Sequence, residues 1–132
     1  MHEIALRTER RSQLVDITQR VRDAVAGDAG TALLVYVPHT TAGVTINEHA
    51  DPAVARDFEA ALDRIVDEGW PWEHIELGEE NAPTHIRASL MGPSVVVPLR
   101  DDGSLALGTW QGIFFCEFDG PRDRTVYVSV LA

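Results

Sequence analysis

The side chains that offer the most chemistry lie together between His39 and Pro52. These fourteen residues contain two imidazoles, three threonine hydroxyls, one amide and two carboxylates, carried by His39, Thr40, Thr41, Thr45, Asn47, Glu48, His49 and Asp51. So many polar groups in a connection between secondary-structure elements are typical of a binding or catalytic site. A turn whose threonine and asparagine side chains only satisfy backbone groups would have a similar composition. The stretch alone leaves both interpretations open.

Imidazoles are the clearest indication of metal or acid–base chemistry in this chain. Four of the five histidines, His39, His49, His74 and His85, lie between residues 39 and 85. None has a local metal-binding spacing such as His-Glu-x-x-His. If the fold brings a strand end, a helix start and a long loop to one edge of a sheet, three imidazoles could bind a divalent ion and leave one position open. The alternative is that the histidines are scattered over surface and core.

Three carboxylates have flanking sequences that suit a general base or a metal ligand, namely Glu48, Asp51 and Glu117. Glu117 adjoins an apolar run, so burial of its side chain would require a partner for its charge. The single cysteine, Cys116, excludes an intrachain disulfide. Because it follows Ile113, Phe114 and Phe115, we expect it to be a buried hydrophobic side chain and not a nucleophile.

The charge balance narrows the range of partners. The 132 residues carry a formal net charge of -10, and all eleven cationic side chains are arginine. An acidic surface repels nucleic acid phosphates and anionic lipid headgroups, so neither is expected as a partner. Without lysine there is no Schiff-base mechanism. An anionic small-molecule substrate would have to be held by arginine, backbone amides, neutral donors or a metal ion.

Length and hydropathy indicate one folded domain over residues 1–132. The chain is long enough to bury a real core, and no linker or low-complexity tract divides it. The N-terminus lacks an apolar segment of signal-peptide length, and no segment has the apolar length that spans a bilayer. We therefore expect a cytoplasmic protein.

Hydrophobic periodicity predicts an α+β fold. Alternating patterns predict strands at 3–8, 13–17, 31–37 and 43–47, and later at 94–99, 104–107, 111–118 and 124–131, with a hairpin turn at 100–103. Helical spacing predicts a short helix from Thr18 that ends near Gly27, a longer helix capped by Asp51, and a third capped by Thr84 and ending at Gly92. Short strands with tight connections favour antiparallel β-sandwich-like sheets in two layers, with two to three flanking helices outside.

Two further segments have the composition of a site. The stretch from residue 69 to 83 is long for a loop and holds Trp70, Trp72 and His74, which predicts either a lid over a ligand or packing against the sheet or a neighbouring subunit. Between two of the predicted strands, Trp110 and Gln111 are flanked by glycines. This pattern indicates a β-bulge or a close approach of the backbone to a bound molecule.

The order and spacing of five motifs resemble the YjbQ-like family, a group of small bacterial and archaeal proteins described as secondary thiamine-phosphate synthases. The motifs are His39-Thr40-Thr41-Ala42, Asn47-Glu48 with Asp51-Pro52, Trp72-Glu73-His74, Asn81-Ala82-Pro83-Thr84-His85-Ile86 and Gly108-Thr109-Trp110-Gln111-Gly112-Ile113. The resemblance covers essentially the whole chain. It implies an α+β fold with an antiparallel sandwich, a homotrimer, and a site whose histidines bind a metal ion.

The resemblance also marks the residues of that site: His39, Asn47, Glu48, Asp51, His74, His85, Thr109, Trp110 and Gln111. His49 stands where the family is variable, and it is left out of the metal set. Arg87 replaces a lysine that is usual in the family, so a planar guanidinium would make any phosphate contact there. Arg87 and Arg100 are the cations that we expect near the motifs.

We therefore predict a metal-binding enzyme for a phosphorylated or heterocyclic small molecule. By resemblance, it joins a pyrimidine pyrophosphate to a thiazole phosphate. The predicted metal ligands for zinc or magnesium are His39, His74 and His85; the catalytic residues are Glu48, Asp51 and His39; and the substrate-binding residues are Asn47, Arg87, Thr109, Trp110 and Gln111. A non-catalytic ligand-binding trimer and a metal-assisted hydrolase of a phosphorylated metabolite are the alternatives.

Overall fold

The computed structural model describes residues 1–75 and 81–132. Within these residues the chain forms one domain of seven strands and three helices. In chain order they are β1 (His2–Arg7), β2 (Gln13–Asp16), α1 (Thr18–Val25), β3 (Ala32–Tyr36), β4 (Ala42–Glu48), α2 (Pro52–Ile65), α3 (Ala82–Met91), β5 (Ser94–Pro98), β6 (Gln111–Glu117) and β7 (Asp123–Leu131).

The strands form two antiparallel sheets, which confirms the predicted α+β class. One sheet has the order β1-β7-β3-β5 and the other the order β2-β6-β4. Apolar side chains from both sheets and from α1 form one buried cluster that includes Leu33, Val126, Val44 and Phe115. Full burial of a side chain such as Phe115 contributes roughly 1.5–3 kcal/mol. The core therefore lies where the two sheets and α1 meet.

Strand β6 is buried on both of its faces. Ile113 and Phe115 belong to the main core, whereas Phe114 and Cys116 belong to a second cluster with Leu62 of α2 and with α3 residues. This alternation is the period of two expected for a strand between two apolar layers. The prediction that Cys116 is a buried hydrophobic side chain is confirmed, and burial raises the pKa of its thiol.

Local signals predicted the start of α2 correctly. The Asp51 side chain accepts a hydrogen bond of 2.9 Å from the backbone N–H of Ala53, and Pro52 occupies the first helical position. The predicted cap of α3 is wrong. Thr84 lies inside the first turn, where its hydroxyl donates to the Asn81 carbonyl at 2.6 Å, so Asn81 is the cap position.

The predicted strand at 104–107 is also wrong. In place of a strand, one isolated bridge joins Leu99 to Leu105. The Arg100 guanidinium donates to the Leu107 carbonyl at 3.2 Å and so uses a backbone group that a strand partner would have used.

Among the described residues, no helix is long and apolar enough to cross a membrane. Location in the cytoplasm stays a prediction.

Close packing of α3 on β4 places the candidate site. A β-carbon on Gly43 would lie 2.8 Å from the Gly92 carbonyl oxygen and 3.0 Å from the Met91 β-carbon. Real β-carbons do not approach backbone this closely, so only glycine at position 43 allows this contact. The close approach brings His85 of α3 against the segment that precedes β4.

Candidate functional site

A polar cavity of about 850 Å³ opens where the segment 38–41 meets α3 and the start of β7. Its lining is formed by Arg11, Pro38, His39, Thr40, Thr41, Glu68, Asn81, His85, Asp119, Arg122 and Arg124. Binding pockets for small molecules span roughly 300–1,000 Å³. The cavity is therefore large enough for a metabolite, and it contains two of the histidines that the sequence singled out.

His39 is held through one ring nitrogen. Its Nε2 lies 3.0 Å from the backbone nitrogen of Thr125 and 3.1 Å from the carbonyl oxygen of the same residue. Either tautomer of the neutral ring is therefore satisfied at Nε2, which leaves Nδ1 as donor or acceptor. Burial, together with the charge of Arg124, lowers the pKa of His39. At neutral pH this imidazole is uncharged and can act through Nδ1.

His85 is held through its other ring nitrogen, Nδ1, and not through Nε2 as His39 is. Its Nδ1 lies 3.0 Å from the Thr40 carbonyl oxygen, to which an N–H at that position donates. A backbone carbonyl at Nδ1 fixes the tautomer and leaves a lone pair on Nε2, as is usual for metal-binding and basic histidines. The ring of His74 lies close by, with its centroid 5.2 Å from that of His85 and the planes inclined at 63°.

His74 belongs to a smaller adjoining cavity of about 250 Å³. This cavity shares Glu68 with the larger one and is lined by Glu68, Trp70, Pro71, Trp72, His74, Ile75, Ala82 and Pro83. The Trp72 indole N–H donates to the Asp67 carbonyl at 3.0 Å, which fixes that ring. The predicted loop therefore contributes its histidine and tryptophans beside the main cavity. Residues 76–80 of that loop lie outside the described residues.

A buried ion pair forms the floor of the main cavity. Glu117 is fully buried and accepts hydrogen bonds from the Arg124 guanidinium, which donates from both Nε and Nη2, and from the Thr8 hydroxyl. Arg124 also donates to the Thr41 hydroxyl at 2.8 Å. Burial acts to raise the pKa of Glu117, but hydrogen bonds from Arg124 and Thr8 outweigh it and lower the pKa. The prediction that a buried Glu117 needs a partner is confirmed.

Three arginines line the cavity, each paired with a carboxylate, and sequence reasoning missed all of them. Besides Arg124, these are Arg11, which is 3.1 Å from Glu68, and Arg122, which is 2.9 Å from Asp119. Both outer pairs are partly exposed, and exposed ion pairs contribute little energy. The guanidinium groups can therefore exchange their carboxylate partners for an anionic ligand at small cost.

The two arginines that the sequence singled out lie elsewhere. Arg87 is 1% exposed, and its guanidinium donates to Glu68 at 3.0 Å and to the Val66 carbonyl at 2.8 Å. It positions Glu68 at the junction of the two cavities, and its predicted contact with substrate stays a prediction. Arg100 lines a separate cavity beside Gly103, and its guanidinium contacts the Leu107 carbonyl directly before the motif that starts at Gly108, so it lies near one motif but away from His39 and His85.

The remaining predicted residues lie at the opposite end of β4 and β6. Ala42 pairs with Glu117 at the cavity end, and Glu48 pairs with Gln111 at the other. Six residue steps along a strand correspond to roughly 20 Å. Within one chain, the structure therefore separates His39, His74 and His85 from the group formed by Asn47, Glu48, Asp51, Thr109, Trp110 and Gln111.

The polar groups at that end make local hydrogen bonds. Asn47 Oδ1 accepts from the Glu48 amide at 2.7 Å, and Glu48 Oε2 accepts from the Asp51 amide at 3.1 Å. Gln111 Oε1 accepts from the Gly108 amide at 2.9 Å. These contacts shape two turns. The predicted catalytic and substrate-binding roles of these residues stay predictions.

The structure places two of the three predicted metal ligands, His39 and His85, in one cavity. Over residues 1–75 and 81–132, no group of three or more His, Cys, Asp or Glu side chains is arranged to hold a metal ion. His39 Nδ1 and His85 Nε2 have no hydrogen-bond partner in that part of the chain. Two nitrogens are thus available in one cavity, with His74 beside them.

Fold and site together define a class: a small α+β protein with two antiparallel sheets and a cavity lined by histidine and arginine at one strand end. The chain belongs to the YjbQ-like UPF0047 family, because the family model "UPF0047 protein YjbQ-like" matches residues 2–132.

Relatives and solved structures agree with this assignment. The chain is 46% identical over 133 residues to UPF0047 protein YugU of Bacillus subtilis, covering 97% of this chain and 96% of that one. It is 45% identical over 129 residues to UPF0047 protein MJ1081 of Methanocaldococcus jannaschii, covering 96% and 90%. A crystal structure of a yjbq/upf0047 family protein from Clostridium acetobutylicum superposes with a TM-score of 0.92 at 46% identity, covering 99% and 100% of the two chains.

Proposed function

We propose that the protein is an enzyme for a phosphorylated small molecule, which it binds in the cavity of His39 and His85. One observation carries this proposal. Each of these imidazoles has one nitrogen fixed by backbone groups and the other without a hydrogen-bond partner among the described residues, and both line a cavity with three arginines. Arginine is well suited to phosphate because its planar fork can donate two hydrogen bonds.

The positions of the arginines and histidines in the cavity indicate a separate role for each group. Arg11 and Arg122 lie at the outer part of the cavity and would hold the phosphate oxygens, whereas Arg124 is neutralised by Glu117 and fixes the Thr41 hydroxyl. His39 Nδ1 and His85 Nε2 would either move a proton or bind a metal ion, because each ring has one nitrogen available and a metal-bound nitrogen carries no proton. Because the ring of His39 is neutral and satisfied in either tautomer, it can accept a proton without loss of its backbone contact.

Imidazole nitrogen is the metal-binding chemistry that this cavity offers. His39 Nδ1 and His85 Nε2 would hold a divalent ion, and His74, which lines the adjoining cavity, would have to move to become the third ligand. Imidazole ligands favour zinc over magnesium, which prefers oxygen. When bound, such an ion supplies charge that shields a phosphate group. Glu48 and Asp51 would serve as the further acid–base groups only if a second subunit brings them to this cavity.

The family resemblance supports a finer proposal, secondary thiamine-phosphate synthesis. That reaction joins a pyrimidine pyrophosphate to a thiazole phosphate and releases pyrophosphate. Two phosphorylated substrates require several positive charges, which Arg11 and Arg122 would provide by exchanging their carboxylate partners for phosphate, together with a bound divalent ion. The cavity volume of about 850 Å³ lies in the upper part of the range for small-molecule pockets.

A homotrimer is part of the same proposal. In a cyclic trimer the contacts are head-to-tail, so different surfaces of neighbouring copies meet. Such an arrangement can bring the Glu48 and Gln111 end of one copy to the cavity of the next. It would reunite the two groups of predicted site residues that a single chain keeps apart.

The experiment is pyrophosphate release from the two substrates, with and without added zinc, using the wild-type protein and His85→Gln. We expect zinc-dependent release by the wild type and a loss of at least a hundredfold in the variant, because the variant loses a nitrogen that serves as a zinc ligand or as an acid–base group, and a positioned acid–base group contributes about 10²–10⁴-fold. His2→Gln is the matched control, since His2 pairs with Asp28 away from the cavity.

Each other outcome points to a different conclusion. Equal rates for the wild type and His85→Gln would remove His85 from the site. Absence of release at high enzyme concentration, together with tight binding of the phosphorylated substrates, would support the non-catalytic trimer. Phosphate release from single phosphorylated metabolites would support the hydrolase.

A further inference from the structure

A second cleft, of about 350 Å³, lies on the smaller sheet between β2 and α2. It is formed by β2, the start of α2 and the connection between β4 and α2, and its lining consists of Arg10, Leu14, Asp16, His49, Asp51, Pro52, Ala55, Arg56, Glu59 and Phe114. It shares no lining residue with the cavity of His39 and His85. His49 is the one histidine between residues 39 and 85 that the proposed function does not use.

His49 and Asp16 form a fixed carboxylate–imidazole pair in this cleft. Asp16 Oδ2 lies 2.8 Å from His49 Nδ1. The other carboxylate oxygen, Oδ1, accepts from the Thr18 amide at 2.9 Å and from the Thr18 hydroxyl at 2.6 Å. Thr18 is itself buried, and its hydroxyl accepts from the Ile113 amide at 2.8 Å. The carboxylate is therefore anchored to the central strand of the sheet.

The electrostatics keep Asp16 charged. Burial acts to raise the pKa of Asp16, but the hydrogen bonds from Thr18 and His49 outweigh it, so the pKa is lowered. A carboxylate in contact with Nδ1 holds the hydrogen of the neutral imidazole there and leaves a lone pair on Nε2. Nε2 of His49 has no hydrogen-bond partner among the described residues.

Two of the sequence motifs position this ring. A β-carbon at position 112 would overlap the His49 ring, so Gly112 provides the space in which the imidazole lies. The His49 amide donates to the Trp110 carbonyl at 3.0 Å. Glu48 holds the next turn by accepting from the Asp51 amide at 3.1 Å. Gly112 and the turn contacts therefore fix the His49 ring against β6.

The cleft is lined by three carboxylates, Asp16, Asp51 and Glu59, and by two arginines, of which one is unpaired among the described residues. Arg10 is paired with Glu59 through two hydrogen bonds of 3.2 Å, and the Asp51 carboxylate caps the Ala53 amide. Arg56 has no hydrogen-bond or ion-pair partner in the part of the chain that the structure describes. Apolar side chains from Leu14, Ala55 and Phe114 line the cleft between these polar groups.

We infer that this cleft is a second binding site, for a small organic anion with a hydroxyl group on an apolar body. His49 Nε2 accepts the hydrogen bond of the hydroxyl, with Asp16 holding the ring in the accepting tautomer. Arg56 donates to the anionic group, and the apolar body lies against Leu14, Ala55 and Phe114. This site is formed within one chain, and Asp51 is the lining residue to which the proposed trimer gives a second role at the cavity of a neighbouring copy.

The test uses three probes that differ by one group each: 3-hydroxybenzoate, benzoate, which lacks the hydroxyl, and 3-hydroxybenzyl alcohol, which lacks the anion. Isothermal titration calorimetry measures binding, and two-dimensional NMR of the histidine side-chain nitrogens reports on His49. We expect 3-hydroxybenzoate to bind and to shift the His49 Nε2 resonance. Each of the other two probes should bind roughly tenfold more weakly, because each loses one hydrogen bond to a charged or fixed group.

Variants assign the binding energy to residues. His49→Gln, Asp16→Asn and Arg56→Gln should each weaken the binding of 3-hydroxybenzoate roughly tenfold or more. Arg56 is exposed, so its variant keeps the fold, and circular dichroism checks the other two. His85→Gln is the matched control and should bind the probe as the wild type does.

Three results would overturn the inference. The first is the absence of 3-hydroxybenzoate binding by the folded wild-type protein. The second is binding that Arg56→Gln and His49→Gln leave unchanged. The third is loss of binding in His85→Gln but not in His49→Gln, which would place the probe in the other cavity. That outcome would count against the second site while leaving the proposed function intact.

Discussion

At the scale of single residues, backbone contacts decide which atoms of the histidines can react. His39 and His85 both lie in the larger cavity, yet they present different nitrogens, Nδ1 and Nε2, because Thr125 holds one ring and Thr40 the other. The sequence identifies the imidazoles but not the atoms that remain free. Those atoms depend on contacts between residues that are 86 and 45 positions apart.

Glu117 provides a prediction about stability. Glu117→Gln should lower the free energy of unfolding by about 3 kcal/mol, because it leaves the buried Arg124 without a counter-charge. Urea denaturation at neutral pH measures this change. The control is Asp123→Asn, whose partner Arg7 is exposed and 3.6 Å away, and this variant should change the value by less than about 0.5 kcal/mol.

Glu117 also makes the free energy of unfolding depend on pH in a direction that can be predicted. The folded-state pKa of Glu117 is lowered, so its stabilising effect is present above the ordinary carboxyl pKa and is lost as pH falls through the folded value. The wild type should therefore lose more stability than Glu117→Gln between neutral pH and about pH 3. Equal losses in the two proteins, measured by urea denaturation, would show that Glu117 is not the group responsible.

At the scale of elements, the ends of helices depend on neighbouring residues, whereas the packing and pairing of elements depend on residues far apart in the sequence. The start of α2 could be predicted, because Asp51 and Pro52 act within one helical turn. The convergence of His39 and His85 was predicted only through the family resemblance, because it depends on the packing of α3 against β4, which local signals do not determine. The separation of Glu48 from His39 follows from the antiparallel register of β4 and β6, which a single sequence does not supply.

The contact between α3 and β4 can be tested with one methyl group. Gly43→Ala should destabilise the fold by about 1–3 kcal/mol, because the new carbon would meet the Gly92 carbonyl and the start of the Met91 side chain. It should also move His85 away from the Thr40 carbonyl and change the His85 side-chain NMR signals. Gly69→Ala is the matched control, since its new carbon would meet only the Asp67 side chain at 3.3 Å. Identical stability of the two variants would contradict the close packing.

At the scale of the whole molecule, the acidic composition and the local cations are compatible. The chain has a net charge of -10, yet three of its eleven arginines line one cavity. A net charge of this sign repels anions at a distance, whereas the guanidinium groups act at contact. Composition alone therefore indicated few cations near the motifs. The positions of Arg11, Arg122 and Arg124 depend on how the first turn and β7 meet the segment 38–41.

The proposed trimer makes the last prediction. Light scattering should give a mass three times the 14.5 kDa of the chain. Because a ring of three requires head-to-tail contacts, opposite ends of neighbouring copies should be close. Co-expressed Trp110→Cys and Arg11→Cys chains should then cross-link to each other when oxidised, and neither should cross-link to itself. The native Cys116 is buried and does not interfere. A monomeric mass, or links only between identical variants as in a two-fold dimer, would rule out a site shared around a ring.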